Sequence, residues 1–238
     1  PRLMTNYIKT NFDYWDREYH SPNVESFIFR LKSYLLDKHF PKNKKLTILD
    51  FGCGQGSTIK YFINTYGYDA YGVDISKKSI NVAKKNISKK RFKLINSQVD
   101  NTENFFNKKF DLIISIQTLY YLNNTDLKSR LNSLNKMLKK NGLVFFTMMS
   151  KKNNYFKKYS NKKNSKDGMT FVDLAKDKYY IKRQKLTSHM HFINFVKNEV
   201  DLKKKLKIFK PLAIGSYDMR LESLDKSEHH YTFLGKKR

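Results

Sequence analysis

The sequence lacks the features of disulfide-bonded, secreted and membrane-spanning proteins. Its single cysteine, Cys53, allows no internal disulfide, so a reducing compartment is expected. No apolar run approaches the roughly 20 residues that a membrane-spanning helix needs. The first residues lack the charged start and apolar stretch of a secretion signal. These absences predict a cytoplasmic protein without a membrane span.

Arginine is scarce although the chain is strongly basic. Eight arginines stand beside 40 lysines and 22 asparagines, and the formal net charge is +27. The planar guanidinium of arginine binds phosphates and bases through paired hydrogen bonds, which a lysine ammonium cannot do. A protein that recognises nucleic acid is therefore expected to contain more arginine. The charge leaves two explanations open, which are the codon bias of an AT-rich genome and selection for an anionic partner.

Strand and helix signals alternate from residue 46 onward. Short apolar runs typical of buried strands occur at residues 46–51, 70–73, 92–95, 112–115 and 143–147. Apolar residues at helical spacing lie between several of these runs, for example Leu127, Leu131, Leu134 and Leu138. The rhythm predicts an α/β fold with a doubly wound parallel sheet.

We expect one domain with four parts. Residues 1–44 form a helical N-terminal cap, 45–148 the core, 149–190 a basic insertion, and 191–238 a helix with two closing strands. The insertion is rich in Lys, Asn and Ser. Its composition favours a solvated loop, and the alternative is a lid over the substrate.

A glycine-rich turn follows the first core strand and opens a helix. Gly52, Gly54 and Gly56 allow backbone to approach a ligand or to adopt positive φ. Asp50, just before the turn, can receive the ammonium of an amino-acid-bearing cofactor and would repel a pyrophosphate. Asp74, which ends the second strand, can accept both hydroxyls of a ribose. An NAD-binding domain or an ordinary tight loop is the alternative.

On these residues the chain resembles the class I methyltransferases that use S-adenosylmethionine. The resemblance is good over residues 46–148 and looser elsewhere. It implies a Rossmann-like, seven-stranded, mostly parallel sheet with an antiparallel last strand. It also implies that S-adenosylmethionine is the cofactor, with Asp50 and the three glycines along its methionine and ribose portions and Asp74 on the ribose.

The same resemblance implies further cofactor-binding residues. Near the adenine these are Ile75, Gln98 and Val99, with Asp100 an equally good candidate for the adenine edge. Ser115 and Gln117 lie beside the sulfonium. Trp15 and Tyr19 belong to a segment that closes over the cofactor, although Trp15 could instead only pack the N-terminal helix on the sheet.

The absence of certain residues reduces the number of possible methyl acceptors. Cytosine C5 methylation needs a cysteine after the fourth strand, and Cys53 is not there. Residues 115–118 lack the Asn/Asp-Pro-Pro-aromatic motif typical of adenine methylation. We therefore expect transfer to an oxygen, less readily a nitrogen, of a small polar, anionic or sugar-like metabolite. The overall pattern is weakly similar to methyltransferases of bacterial surface-carbohydrate (capsule or O-antigen) synthesis, which work on sugar, nucleotide-linked or phosphoramidate precursors.

Two other functions stay open. One is an RNA methyltransferase, carried by the charge alone, and the other is a cofactor-binding partner subunit without turnover. No feature predicts an oligomeric state.

The candidates for proton removal are histidines and one tyrosine. If the acceptor is a sugar hydroxyl, His191 or His229 is the expected base. Tyr121 is a further candidate, at a position where many small-molecule members of the family have His. A phosphoryl oxygen would need no base, because Lys and Arg would position it. No metal is expected, since no cysteine cluster supports zinc at His189 and His191.

Overall fold

A seven-stranded sheet organises the described part of the chain. The computed structural model describes residues 24–95, 104–174, 190–218 and 227–238. The strands in these ranges are β1 (Thr47–Phe51), β2 (Asp69–Asp74), β3 (Phe92–Leu94), β4 (Phe110–Ser115), β5 (Leu138–Met149), β6 (Ser160–Lys166), β7 (Met169–Asp173), β8 (Met190–Ile193), β9 (Phe209–Tyr217) and β10 (His230–Lys237). The large sheet has the order β3-β2-β1-β4-β5-β10-β9.

The direction of the strands confirms the predicted sheet. β3, β2, β1, β4 and β5 pair in parallel, and β10 pairs antiparallel with both β5 and β9. The carboxyl ends of the parallel strands therefore meet at one edge of the sheet. The order reverses between β1 and β4, where a crevice for a ligand is expected.

Helices cover the sheet. They are α1 (Ile28–Tyr34), α2 (Ser57–Tyr66), α3 (Lys77–Asn86), α4 (Asn124–Met137), α5 (Asn154–Tyr159) and α6 (Glu199–Lys205), with 3-10 turns at Leu36–Lys38, Lys89–Arg91 and Leu119–Tyr121. Side-chain caps fix four of the starts, and the capping residues are Ser76, Asn123, Asn153 and Asn198. None of the helices in the described ranges is long and apolar enough to cross a membrane.

The core strands are apolar on both faces because both faces are covered. Ile48 of β1 belongs to an apolar layer with Ile59 of α2, and neighbouring Leu49 belongs to the opposite layer with Leu131 of α4. All four side chains are buried. This two-sided burial accounts for the unbroken apolar runs from which the parallel sheet was predicted.

The basic insertion is folded where the structure describes it, so the expected loop is wrong for residues 154–173. It forms α5 and the antiparallel pair β6–β7, joined by a turn in which Asp167 and Gly168 both have positive φ. β7 also pairs with β8, which lies at the boundary we had drawn at residue 190. The insertion and the C-terminal part therefore share one small sheet.

Two boundaries differ from the sequence prediction. Leu138 was expected on the helix face of Leu134, but α4 ends at Met137 and Leu138 begins β5. The helical spacing of Phe195, Glu199, Leu202 and Leu206 predicts a helix that includes Phe195, but the helix begins at Glu199 behind an Asn198 cap. In both cases an apolar residue beside a helix end satisfies the helical spacing by chance.

Asp111 ties the amino edge of the sheet together. Its buried carboxylate accepts hydrogen bonds from Lys44 Nζ and Lys139 Nζ, each at 2.8 Å, and from the Thr47 N–H at 2.9 Å. Burial alone would raise the pKa of Asp111, but the bonds from Lys139 and Lys44 hold it below its ordinary value. The carboxylate thus joins the starts of β1 and β4 to β5.

Replacing this carboxylate should destabilise the protein. We expect Asp111→Ala to lower the free energy of unfolding by about 2–3 kcal/mol at neutral pH, since charged hydrogen bonds are lost. Because the pKa of Asp111 is lowered in the folded protein, this stabilisation is complete at pH values above the unfolded-state pKa of about 3.9. It should be lost as the pH falls below that value. Urea denaturation measures both effects. Lys139→Met should also destabilise, whereas Lys140→Met, at its exposed neighbour, should not; equal effects of the two would contradict the assignment.

Candidate active site

The glycine turn lies at the carboxyl edge of the sheet and is held by the end of β2. The N–H groups of Gly52 and Cys53 both donate to the Val73 carbonyl oxygen, at 2.8 and 3.0 Å. The Gly54 N–H donates to Asp74 Oδ2 at 2.8 Å. Two sequence-predicted elements, the turn and the second acid, are thus in direct contact.

Asp74 is engaged by backbone on both oxygens and can still accept more. Oδ1 accepts the Ser76 N–H at 2.8 Å, and Oδ2 accepts that of Gly54. Each carboxylate oxygen has a second acceptor position, so a ribose diol could bind the same carboxylate. Burial raises the pKa of Asp74 against the opposing effect of these N–H groups.

The three glycines of the turn face different surroundings. A Cβ on Gly52 would overlap the side chain of Thr118, and one on Gly56 would collide with the ring of Phe92. A Cβ on Gly54 would meet no atom within 4 Å, although its φ of +51° is itself unfavourable for other residues. Gly54 therefore borders the open space in front of the turn, while Gly52 and Gly56 are needed for packing.

Asp50 is a buried carboxyl group with no counter-charge among the described residues. Its side chain is 3% exposed, and Oδ1 has no hydrogen-bond partner among the described residues. Burial, reinforced by the nearby charge of Asp74, raises the pKa of Asp50 to about 8. An unsatisfied buried acceptor is costly, and a cation placed here would remove that cost. The arrangement fits an ammonium group at Asp50 and a ribose at Asp74.

We call Asp50, the glycine turn and Asp74 together the cofactor cradle. Two other predicted cofactor residues adjoin this cradle in different ways. The Ser115 hydroxyl is fully buried and donates to the Phe51 carbonyl oxygen at 2.8 Å, so it links β4 to β1. Ile75 is half-buried and packs against the apolar layer of Leu49. Cys53 also lies in the turn, where burial raises the pKa of its thiol, so it is not a nucleophile.

A second group of side chains, the Gln117 cluster, lies beyond the end of β4. It consists of Glu25, Gln117, Tyr120, Tyr217 and His230. Gln117 Nε2 donates to Glu25 Oε1 at 2.9 Å and to the Tyr217 hydroxyl at 3.2 Å. Gln117 has a positive φ, and its N–H donates to Thr147 Oγ1 at 2.7 Å, which fixes it at the end of β5. Gln117, which the resemblance places beside the sulfonium, thus lies in a group of polar and aromatic side chains at the carboxyl edge of the sheet.

The predicted catalytic residues are near the cluster but do not form one group. His191 is buried on β8, with its ring 6.3 Å from that of Tyr121. His229 Nδ1 lies 2.7 Å from Ser150 Oγ at the end of β5. Burial, followed by the charge of Lys152, lowers the pKa of His229. The structure thus brings Tyr121 and His191 together and holds His229 on a separate contact.

The sequence prediction passed over His230 in favour of its neighbour His229. His230 is 4% exposed, and its ring stacks on Tyr217 at 4.9 Å with an interplanar angle of 1°. His229 lies just before β10 and is half-buried, whereas His230 begins the strand and is buried. This difference follows from the pairing of β10 with β5 and β9, which local sequence does not reveal.

Several predicted residues lie outside the described ranges. These are Trp15, Tyr19, Gln98, Val99, Asp100 and His189. Among the residues that are described, no group of three His, Cys, Asp or Glu side chains is arranged to hold a metal ion.

Comparisons with known proteins identify the family. Residues 42–207 match the family model described as a methyltransferase domain. The ubiquinone biosynthesis O-methyltransferase of Pelagibacter ubique is 35% identical over 109 residues, which are 45% of this chain and 44% of that protein. The matched segment thus spans less than half the length of this curated relative.

Solved structures share the fold across nearly the whole chain. An S-adenosylmethionine-dependent methyltransferase from Clostridium acetobutylicum has a TM-score of 0.60 at 18% identity and covers 98% of this chain and 99% of its own. One from Methanosarcina mazei has a TM-score of 0.63 at 15% identity, covering 86% and 97%. At these identities the likeness concerns the fold.

Removing the buried charge of Asp50 should stabilise the ligand-free protein. Its raised pKa means that stability falls as pH rises from the unfolded-state value near 4 through about 8. Asp50→Asn removes this penalty, so its melting temperature should exceed the wild-type value by a margin that grows from pH 5 to pH 9. Asp167→Asn, at an exposed turn, is the matched control and should show no such trend. A constant margin would contradict the assignment.

Proposed function

Since the chain belongs to the methyltransferase domain family, we propose that it transfers the methyl group of S-adenosylmethionine to a hydroxyl oxygen of a small polar molecule. The observation that carries the proposal is the buried carboxyl of Asp50, which lies beside Asp74 and whose Oδ1 has no hydrogen-bond partner among the described residues. It favours a ligand that brings a positive charge and a ribose together. A pyrophosphate would add negative charge where two acids already lie.

The described residues would hold this cofactor by complementary contacts. Asp50 would accept from the ammonium, Asp74 would accept from the ribose hydroxyls, and the ligand would pass in front of Gly54. Bound there, the cofactor supplies an electrophilic methyl group on a sulfonium. The protein's task is then to align an acceptor oxygen with that methyl and to receive its proton.

The acceptor side supports a hydroxyl on a small molecule. The Gln117 cluster offers hydrogen-bonding groups of Gln117, Tyr217 and His230 set among aromatic rings. Such a lining suits a compact polar group better than an extended polyanion. The relative from Pelagibacter ubique is named for O-methylation, which also supports oxygen over nitrogen.

A lysine-rich cavity supports an anionic group elsewhere on the acceptor. It lies on the insertion, has a volume of about 430 Å³, and is lined in part by Lys157, Lys158, Lys162 and Lys163. A sugar phosphate or a nucleotide-linked surface-carbohydrate precursor would present both a hydroxyl and a negative charge. The single cysteine supports a cytoplasmic location for such a reaction.

RNA is the second candidate acceptor, and the exposed lysines of β6 favour it. Wild-type protein should be incubated with methyl-labelled S-adenosylmethionine and a cell extract divided into RNA and small-metabolite fractions. We expect label in the small-metabolite fraction. Label in RNA alone, with binding that weakens steeply with salt, would replace our proposal with the RNA reading; label in neither fraction would favour a partner subunit without turnover.

Calorimetry tests the cofactor assignment without an acceptor. At pH 7 the free Asp50 is largely protonated, because its pKa is about 8. Binding of an ammonium should ionise it and release close to one proton, seen as a dependence of the binding enthalpy on the buffer. Asp50→Asn should lose this release and bind at least tenfold more weakly, since a charged hydrogen bond is worth about 1.5–3 kcal/mol.

Gly54→Ala tests the same contact from the other side. We expect a stability loss of about 1 kcal/mol from the positive φ and a larger loss of cofactor affinity, because the added methyl enters the ligand's space. Gly67→Ala, also at positive φ but at the end of α2, is the matched control for backbone strain and should keep full affinity. Tight binding of NAD without binding of S-adenosylmethionine would overturn the proposal.

A further inference from the structure

His230 is a buried imidazole with one nitrogen hydrogen-bonded and the other without a hydrogen-bond partner among the residues that the structure describes. Nδ1 lies 2.7 Å from the Glu228 carbonyl oxygen. A carbonyl oxygen can only accept, so Nδ1 must carry the proton and Nε2 of the neutral ring must hold a lone pair. Nε2 is buried and receives no hydrogen bond from the residues that the structure describes. A buried acceptor without a hydrogen bond costs about 1–3 kcal/mol. This cost would be removed if a ligand donated a hydrogen bond to Nε2.

The ring is held in position from several sides. On the sheet, His230 is opposite Tyr217 of β9 and Met149 of β5. It stacks on the Tyr217 ring and lies 5.7 Å from that of Tyr120. A side chain fixed by stacking and by a backbone hydrogen bond loses little entropy when it binds a substrate.

Contacts connect His230 to the cofactor cradle. Tyr217, on which the ring stacks, accepts a hydrogen bond from Gln117 at the end of β4. The next residue, Thr118, packs against Gly52 of the glycine turn. Nε2 of His230 therefore lies at the same edge of the sheet as the expected sulfonium, on the side that we propose for the acceptor.

We propose that His230 is the base of the reaction and that its Nε2 takes the hydroxyl proton of the methyl acceptor. This inference rests on the proposed function. The acceptor oxygen bonds to the methyl carbon while the carbon–sulfur bond breaks and leaves its electron pair on sulfur. The hydroxyl proton passes to Nε2, and the resulting imidazolium later returns that proton to water. One positive charge moves from sulfur to the ring, so the net charge of the site is unchanged.

The surroundings of the ring keep it neutral, with Nε2 unprotonated before the reaction, and the same burial makes the ring a weaker base than a free imidazole. Burial lowers the pKa of His230 to about 4, so the ring is neutral at all ordinary working pH values. The titratable groups around it are Tyr217 of β9, Tyr120 of the 3-10 turn, and His229 and Asp218, while Glu228 contacts the ring through its backbone carbonyl. Asp218 favours the protonated ring, while His229 disfavours it.

The test uses a variant that keeps a hydrogen bond to the Glu228 carbonyl oxygen and lacks a nitrogen at the position of Nε2. In His230→Asn the side-chain amide can still donate to the Glu228 carbonyl, but nothing reaches the position of Nε2. We expect turnover of the labelled small-metabolite product to fall by about 10²–10⁴-fold, with S-adenosylmethionine affinity and melting temperature close to wild type. His230→Gln, which places an amide near Nε2, should be equally inactive, because an amide cannot take a proton.

The pH profile separates a base from a structural residue. Wild-type turnover should be flat above about pH 5, since the ring is already neutral there. In His230→Asn the residual rate should rise about tenfold per pH unit, because only the ionised acceptor reacts. His39→Gln, at an exposed histidine beyond α1, controls for histidine loss and should match wild type.

Distinct outcomes overturn the inference and the proposed function. If wild type is active and His230→Asn retains its full rate and flat profile, the inference fails and the proposed function stands. If His229→Gln loses activity while His230→Asn keeps it, the neighbour is the base. If wild type transfers no label, both fail. Nitrogen NMR of the free protein adds a readout without turnover: we expect a protonated Nδ1 and an unprotonated Nε2, and the reverse tautomer would overturn the assignment.

Discussion

The hydrogen bond from the Gly54 N–H to Asp74 is the contact on which the site depends. It draws the turn after β1 against the end of β2, and this closure places Asp50 in the interior beside a second acid. The protein thereby buries two carboxyl groups close together, an arrangement that opposes folding. A ligand that carries a positive charge removes this penalty, so binding of the ligand and stability of the fold are coupled at Asp50. Sites that are unfavourable when empty are common where a protein must bind a specific charge.

The cofactor half of the site could be predicted because it is local in sequence. Asp50 and the glycines lie within seven residues, and Asp74 follows at the end of the next strand, so strand and turn patterns suffice to bring them together. The Gln117 cluster, on the side that we propose for the acceptor, could not be predicted in this way. Gln117 meets Glu25 across 92 residues and Tyr217 across 100 residues. Those contacts depend on the pairing of β10 with β5 and β9, which sets His230 rather than His229 inward.

The fold shows the same division between local and long-range information. The core strands were located to within a few residues because their apolar runs reflect burial on both faces. The insertion was predicted to be a loop because lysine and asparagine dominate its composition, although β7 is buried at residues 169–172. Its outer strand β6 is polar throughout, and β7 is buried at consecutive positions, so neither strand shows the alternation of a half-buried strand. The composition of the insertion reflects its exposed strand and obscured its buried one.

The position of β10 has a consequence for the order in which the molecule can form. This strand comes after all the other described strands in sequence, yet it lies between β5 and β9 in the sheet. Among the described strands, β9 therefore has no partner until β10 has been synthesised, whereas β1, β2 and β4 can pair while the ribosome is still adding the later residues. The glycine turn and its two acids can thus assemble first, and the Gln117 cluster, which we propose as the acceptor side, is completed only when β10 is inserted. Such a sequence of events allows the donor to stabilise a partly made chain before any substrate could be consumed.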